Sequence, residues 1–169
     1  MPQITLSIPC DRYLAQWYIH DSGGASPVKL RKNSPEQHLL RCILSSKNTA
    51  PQPDLKNQSH ASSLEIIIPY FKGMPPEIYN RLSERGQKVF IDTLRKRFDL
   101  QLFQDLAPVL NAVERRDELI WAWMEAHGIE PEERNWFAVE KRLKRMIDRL
   151  NTKIRVRNYR ALKKSQKNM

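Results

Sequence analysis

The last third of the chain carries apolar side chains at intervals that place them on one face of a helix. The intervals are three, four, three, four and four residues, and they are set by Trp136, Val139, Leu143, Met146, Leu150 and Ile154. Residues three and four apart share one side of an α-helix, so this stretch predicts an amphipathic helix with Lys and Arg on its other face. One face is expected to pack and the other to remain cationic.

Positive charge is concentrated in the same region. Residues 141–169 hold twelve Lys and Arg against one acid, Asp148, whereas residues 1–140 sum to a net charge of −1. Such a segment favours a polyanion, because each neutralised phosphate releases condensed counterions. The predicted phosphate contacts in this segment are Arg142, Arg145, Arg149, Lys153, Arg155, Arg157 and Arg160. Two other interpretations stay open, an anionic membrane surface and a solvated helix face that binds nothing.

Length and composition indicate a small globular protein. With 169 residues, of which 40% are hydrophobic and 28% charged, the chain allows one compact domain or two small ones. Its longest apolar run, from Leu119 to Met124, is far shorter than the roughly 20 residues of a membrane span. The N-terminus shows no secretory signal, and Cys10 and Cys42 are too few for a disulfide framework. We therefore expect a cytoplasmic protein without a membrane partner.

The first segment of the chain, residues 1–44, predicts a strand followed by two helices. Ile4, Leu6 and Ile8 alternate with polar residues, as in a half-buried strand, and a short helix should follow as far as His20. A second helix should begin at Asn33 or Ser34, with Pro35 in its first turn and Gln37 at the reciprocal capping position.

The second segment, residues 64–98, repeats this order. A strand from Leu64 to Ile68 is followed by a predicted short helix after Pro75 and by another helix that Ser83 caps. Residues 45–63 are rich in Ser, Pro, Asn and Gln and predict a flexible linker, while residues 99–169 predict a helical region. The expected fold is α+β and mostly α-helical, with a short two-stranded antiparallel ribbon.

The chemistry of common enzymes is not encoded in this sequence. Five scattered glycines cannot form a phosphate-binding loop, and no zinc-enzyme spacing occurs. A zinc site could be assembled from Cys10, His20, His38 and Cys42, but lone residues at such spacings are more often core or surface residues. We expect no metal, no cofactor and no catalytic residue.

A strand with alternating polar side chains followed by two helices resembles the ribbon-helix-helix family of DNA-binding proteins. In that family, paired strands form a ribbon that reads bases in the major groove, and the N-terminus of the second helix holds a phosphate. The resemblance covers residues 3–45 and 64–98. It implies base contacts from Gln3, Thr5 and Ser7 and phosphate contacts at Asn33, Ser34 and Ser83. Joined by the linker, the two segments would form a single-chain pseudo-dimer.

Two features depart from the family pattern. The second strand would present Glu65 and Ile67 outward, and the loop from Gly23 to Lys32 is longer than the tight turn of the family. An alternative is that the apolar residues of both strands form a ribbon that packs on the helices and binds nothing.

Together these observations predict non-enzymatic binding of double-stranded DNA, as in a transcriptional regulator or a protein that handles the DNA of a mobile element. RNA stays an alternative ligand. The alternative function is assembly, in which the stripe from Trp136 to Ile154 pairs two copies into a homo-oligomer.

Overall fold

A computed structural model of the chain describes residues 3–46, 62–109 and 115–167, and in the last helix it describes side chains as far as Arg157 and that of Tyr159. Within these ranges the helices and strands follow one another as β1 Thr5–Cys10, α1 Arg12–Asp21, β2 Val28–Lys29, α2 Pro35–Ile43, β3 Leu44–Ser46, β4 Ser62–Ile67, β5 Tyr79–Leu82, α3 Glu84–Leu106, α4 Arg116–Ala126 and α5 Glu133–Lys167. The fold is α+β and mostly helical, as predicted.

The predicted ribbon is formed by β1 and β4. These strands pair antiparallel with Leu6 opposite Ile66 and Ile8 opposite Leu64, and all four side chains are buried. Alternation therefore predicted both the strands and their buried face. The ribbon is not limited to two strands, because β2 adds to β4 in parallel and makes β4 the central strand.

The capping residues of two helices were predicted correctly. Ser34 Oγ accepts a hydrogen bond from the backbone N–H of Gln37 at the start of α2, and Ser83 Oγ accepts one from the N–H of Gly86 at the start of α3. The side chain of Gln37 also accepts from the backbone N–H of Asn33, the residue before the N-cap Ser34.

The predicted short helix after Pro75 is wrong. The chain makes a single turn there, in which the backbone N–H groups of Ile78 and Tyr79 both donate to Pro75 O. It then becomes β5, which pairs with β3 through Leu82 opposite Leu44. Pairing with a distant strand satisfies these backbone groups and overrides the local preference for a helix, so residues 64–98 are not a second strand-helix-helix unit.

The predicted linker and the predicted boundary at residue 99 also differ from the structure. Both ends of the 45–63 segment are strand residues, in β3 and β4, and its middle, residues 47–61, lies outside the described residues. Helix α3 continues through the boundary, because Leu94, Phe98, Leu102 and Leu106 form one buried stripe at intervals of four. The described residues share a single hydrophobic core.

Aromatic rings form the centre of this core. Phe98 of α3 is fully buried, and its ring centroid lies 5.1 Å from that of Tyr13, 5.3 Å from that of Trp17 and 5.5 Å from that of Trp123. All three contacts are edge-to-face, the geometry that aromatic quadrupoles favour. One side chain thus joins α1, α3 and α4.

The end of α4 brings the chain close to α1. Gly128 has a φ of +67°, and a Cβ atom at this position would lie 2.7 Å from the His20 side chain. Glycine alone combines the left-handed conformation with such an approach. Helix α4 therefore ends at Ala126, with His127 as its C-cap residue.

Substitution of Phe98 by Ala should lower the free energy of unfolding by about 3–5 kcal/mol, because it removes a buried ring and leaves a cavity. Leu100, two residues further along α3, is 58% exposed, and Leu100→Ala should change this free energy by no more than about 0.5 kcal/mol. Urea titrations of both variants measure the difference. Equal losses would contradict a core centred on Phe98.

Candidate nucleic-acid interface

Helix α5 consists of a packed half and a free half. Val139 and Leu143 are buried in the core, and Met146 and Ile147 are the last residues of the helix that pack against it. From Asp148 to Arg157 every residue is exposed. The helix continues to Lys167, so at 1.5 Å per residue the free half extends about 30 Å beyond the body.

Most of the predicted phosphate-contacting side chains lie on the exposed surface of α5. Those exposed and described are Arg145, Arg149, Lys153, Arg155 and Arg157, and Lys141 and Lys144 join them. We call these seven residues the cationic face. None of them has an ion pair among the described residues. Arg160 belongs to the same helix, but its side chain lies outside the described residues.

Neighbouring cations of the cationic face repel one another. Arg145, Arg149, Lys153 and Arg157 follow one another at intervals of four, so each cation lies one turn from the next. Like charges at this spacing destabilise a helix by a few tenths of a kcal/mol per pair, more at low salt. An anionic ligand would relieve this repulsion.

Arg142 was predicted to contact phosphate, but the structure gives it a different role. Its Nε and Nη2 donate to the two carboxylate oxygens of Asp99 at 2.5 and 2.8 Å, and its side chain is only 20% exposed. Burial alone would lower the pKa of Arg142, but hydrogen bonds to Asp99 and Tyr13 and the charges of these two groups together outweigh burial and raise the pKa above its ordinary value. Because its donors are used within the fold, Arg142 joins α5 to α3 and is not part of the cationic face.

Charged side chains of the protein itself surround the N-terminus of α2. Glu36, in the first turn, is 3% exposed and accepts a 2.7 Å hydrogen bond from Arg97, whose other terminal nitrogen donates to Asp21 at 2.6 Å. These groups line the same open cavity as Ser34. Arg31 lines this cavity as well, so two carboxylates and two guanidinium groups balance one another beside the helix end, and no net positive side-chain charge is left there for a phosphate at Asn33 or Ser34. Ser83, at the start of α3, is exposed and has only Glu84 as an acid in the first turn.

The predicted base-reading residues share one exposed side of the ribbon. Gln3, Thr5 and Ser7 are all exposed, because their neighbours point into the core. Ser7 lies opposite Glu65 and Thr5 opposite Ile67. The alternation in the sequence therefore located this face correctly, and it places a carboxylate next to the predicted contacts.

The residues considered for zinc are not brought together. Among the described residues no group of three or more His, Cys, Asp or Glu side chains could hold a metal ion. Cys10 is buried at the end of β1, and Cys42 is exposed on α2. Burial raises the pKa of the Cys10 thiol to about 12, with Asp11 adding to the increase.

No helix in the described part of the chain is both long and apolar enough to cross a membrane. No family model, curated protein or solved structure matches the chain. What the chain can bind is therefore inferred from the charge, exposure and shape of the surfaces described above.

Substitution of Arg142 by Ala should lower the free energy of unfolding by roughly 1–3 kcal/mol, because Asp99 is left largely buried without its partner. Arg145→Ala, three residues away, should change it by less than about 0.5 kcal/mol, because that side chain is exposed and has no ion pair among the described residues. Chemical denaturation of both variants checks this. If Arg142→Ala were as stable as Arg145→Ala, the pair with Asp99 would have no structural role.

The two cysteines should differ strongly in reactivity towards a maleimide reagent. At neutral pH, Cys42 should be labelled in the folded protein, whereas Cys10 should react only after denaturation, because burial keeps its thiol protonated and inaccessible. Mass spectrometry of the labelled peptides before and after denaturant treatment measures this. Labelling of Cys10 without denaturant would contradict its position in the core.

Proposed function

We propose that the protein binds double-stranded DNA without catalysing a reaction, and that the cationic face of α5 contacts the phosphates. The observation behind this proposal is the number of exposed cations on α5 together with their position on the helix. Seven exposed Lys and Arg side chains lie on one helix, half of which stands clear of the body, and they have no ion pairs among the described residues. A phosphate backbone supplies the charges that this face lacks.

The distribution of charge over the whole chain favours a rigid polyanion. Residues 1–140 carry a net charge of −1, so the body neither adds to the attraction nor opposes it strongly. The cations extend along a helix and are not gathered in a pocket, which suits a ligand with regularly spaced charges along its length. Transcriptional regulation and the handling of mobile-element DNA remain two biological roles that such binding could serve.

The exposed side of the ribbon is a second surface for this proposal. Gln3, Thr5 and Ser7 carry hydroxyl or amide groups that can hydrogen-bond to base edges. Glu65, opposite Ser7, would be repelled by phosphates and could be accommodated only where it accepts from a cytosine amino group. The resemblance to the ribbon-helix-helix family therefore stays a proposal, supported by the β1–β4 pairing and the polar outer side.

Assembly is the second candidate function, and one observation favours it. Leu150 and Ile154 continue the apolar stripe of α5 past the body and are 43% and 47% exposed. Val139 and Leu143 belong to the protein's own core, so only the free half could pair with another copy. Leu143→Glu would therefore unfold the protein, and Leu150→Glu is the variant that tests assembly, by sedimentation of the full chain over a range of concentrations.

Removal of three charges from the cationic face should weaken DNA binding and make its salt dependence less steep. We expect the triple variant Arg145→Gln, Arg149→Gln and Lys153→Gln to bind a random-sequence duplex less tightly. The slope of log affinity against log salt should fall in magnitude by about 2.7 if each side chain contacts one phosphate. Fluorescence anisotropy of a labelled duplex across a salt series measures both quantities.

The matched control also removes three positive charges, but from residues outside α5. Lys72, Lys88 and Lys96 are exposed and lie outside α5, so replacing all three by Gln should leave the salt slope nearly unchanged. Equal losses in the two triple variants would show that only net charge matters. Absence of binding by the full chain at low salt would overturn the proposal. Truncation after Glu140 is a poor alternative, because it would also remove Leu143 from the core.

A further inference from the structure

The free half of α5 carries uncharged side chains in the middle of its cationic surface. These are Thr152, Val156 and Tyr159, and they continue a line that begins with Arg145 in the packed half and Arg149 in the free half, at intervals of four, three, four and three residues. We call this line the outer stripe. Val156 and Tyr159 are 43% and 66% exposed, and Thr152 is exposed as well. Thr152, Lys153, Val156 and Arg157 also line one open recess.

The outer stripe faces away from the body. At 100° per residue, Arg145, Thr152 and Tyr159 lie about 140–180° around α5 from the midpoint of Val139 and Leu143, which are buried in the core. Arg149 and Val156 lie about 100–120° from that midpoint. A ligand that approaches this side of the free half meets the helix alone.

Cations flank the outer stripe on both sides. Lys153 and Arg155 lie roughly 80° to either side of its centre, by the same helical geometry, and both are exposed. A flat charged surface could contact one of these flanks at a time. A groove with phosphates on both walls could contact both while its floor met the outer stripe.

The dimensions of the free half fit one such groove. An α-helix with its side chains is about 10–12 Å across, and the major groove of B-DNA is about 12 Å wide and 8.5 Å deep. The free half extends far enough beyond the body to enter the groove over most of a helical turn of DNA. The deep, narrow major groove of an RNA duplex does not admit side chains in this way.

We infer that the free half of α5 lies in the major groove of B-DNA, where Thr152 and Val156 contact base edges and Lys153 and Arg155 contact phosphates on opposite walls. This inference rests on the proposed DNA binding and adds the groove and the residues that select sequence. It makes α5 a base-reading element in addition to, or in place of, Gln3, Thr5 and Ser7.

The chemistry of these side chains indicates which base they favour. Val156 offers only methyl groups, and the hydroxyl of Thr152 already donates to the carbonyl oxygen of Asp148 at 2.8 Å, which leaves its methyl group exposed. The thymine methyl is the apolar group that a base pair displays in the major groove. The DNA sequences that bind most tightly should therefore contain thymine at the positions that Thr152 and Val156 contact.

Replacement of thymine by deoxyuracil tests this directly, because it removes the major-groove methyl and leaves base pairing intact. A duplex is first selected from a random-sequence pool with the full chain and then prepared with either base. The thymine duplex should bind more tightly by about fourfold for each methyl contacted. The double variant Thr152→Ser and Val156→Ser, which replaces the exposed methyl groups by hydroxyl groups, should lose this preference and keep its steep salt dependence.

The control variant alters the opposite face of the same segment. Leu150→Ala with Ile154→Ala removes exposed apolar groups without a change of charge, and it should keep the preference for thymine. Steep salt dependence with equal affinity for both duplexes, or no selected sequence at all, would overturn the inference and leave the proposed function standing. Failure to bind any duplex, with binding of an RNA hairpin or of phosphatidylserine vesicles instead, would overturn both.

Discussion

The packing of three helices around the Phe98 ring is the constraint on which the rest of the structure depends. Tyr13 and Trp17 from one helix and Trp123 from another meet this ring edge to face. The sheet packs beside the same helices, and Val139 and Leu143 of the last helix belong to the same core. Because that helix is held only along its first half, the position of everything beyond Ile147 is determined by how this core is packed.

Local signals in the sequence predicted much of the fold. The alternation from Ile4 to Ile8 located a strand and its buried side, and Ser34 and Ser83 marked the starts of two helices, since capping depends on residues three positions apart. Strand β5 could not be predicted in this way. Two prolines before it favour a helical turn, and the partner that converts the following residues into a strand, β3, lies more than thirty residues earlier.

The candidate site was predicted in outline and corrected in detail for a similar reason. Charge density identified the helix that carries the exposed cations, because density along a chain is a local property. Arg142 could not be separated from Arg145 by composition, since the carboxylate that engages Arg142 is Asp99, on another helix. The intervals along the apolar stripe nevertheless held a usable signal. At 100° per residue, Arg142 lies about 60° from Val139 around the helix, whereas positions 141, 144 and 145 lie about 120–160° from it and are exposed.

The continuity of α5 has a consequence for orientation. The helix runs without interruption from Glu133 to Lys167, so the angle between its packed side and its outer stripe is set by the number of residues between them. Whatever the free half binds, the body is therefore held at a defined rotation about the helix axis, with the β1–β4 ribbon at one azimuth relative to the ligand. The rotation of the body about the axis of α5, as much as its charge, then determines which of its surfaces faces a neighbouring protein.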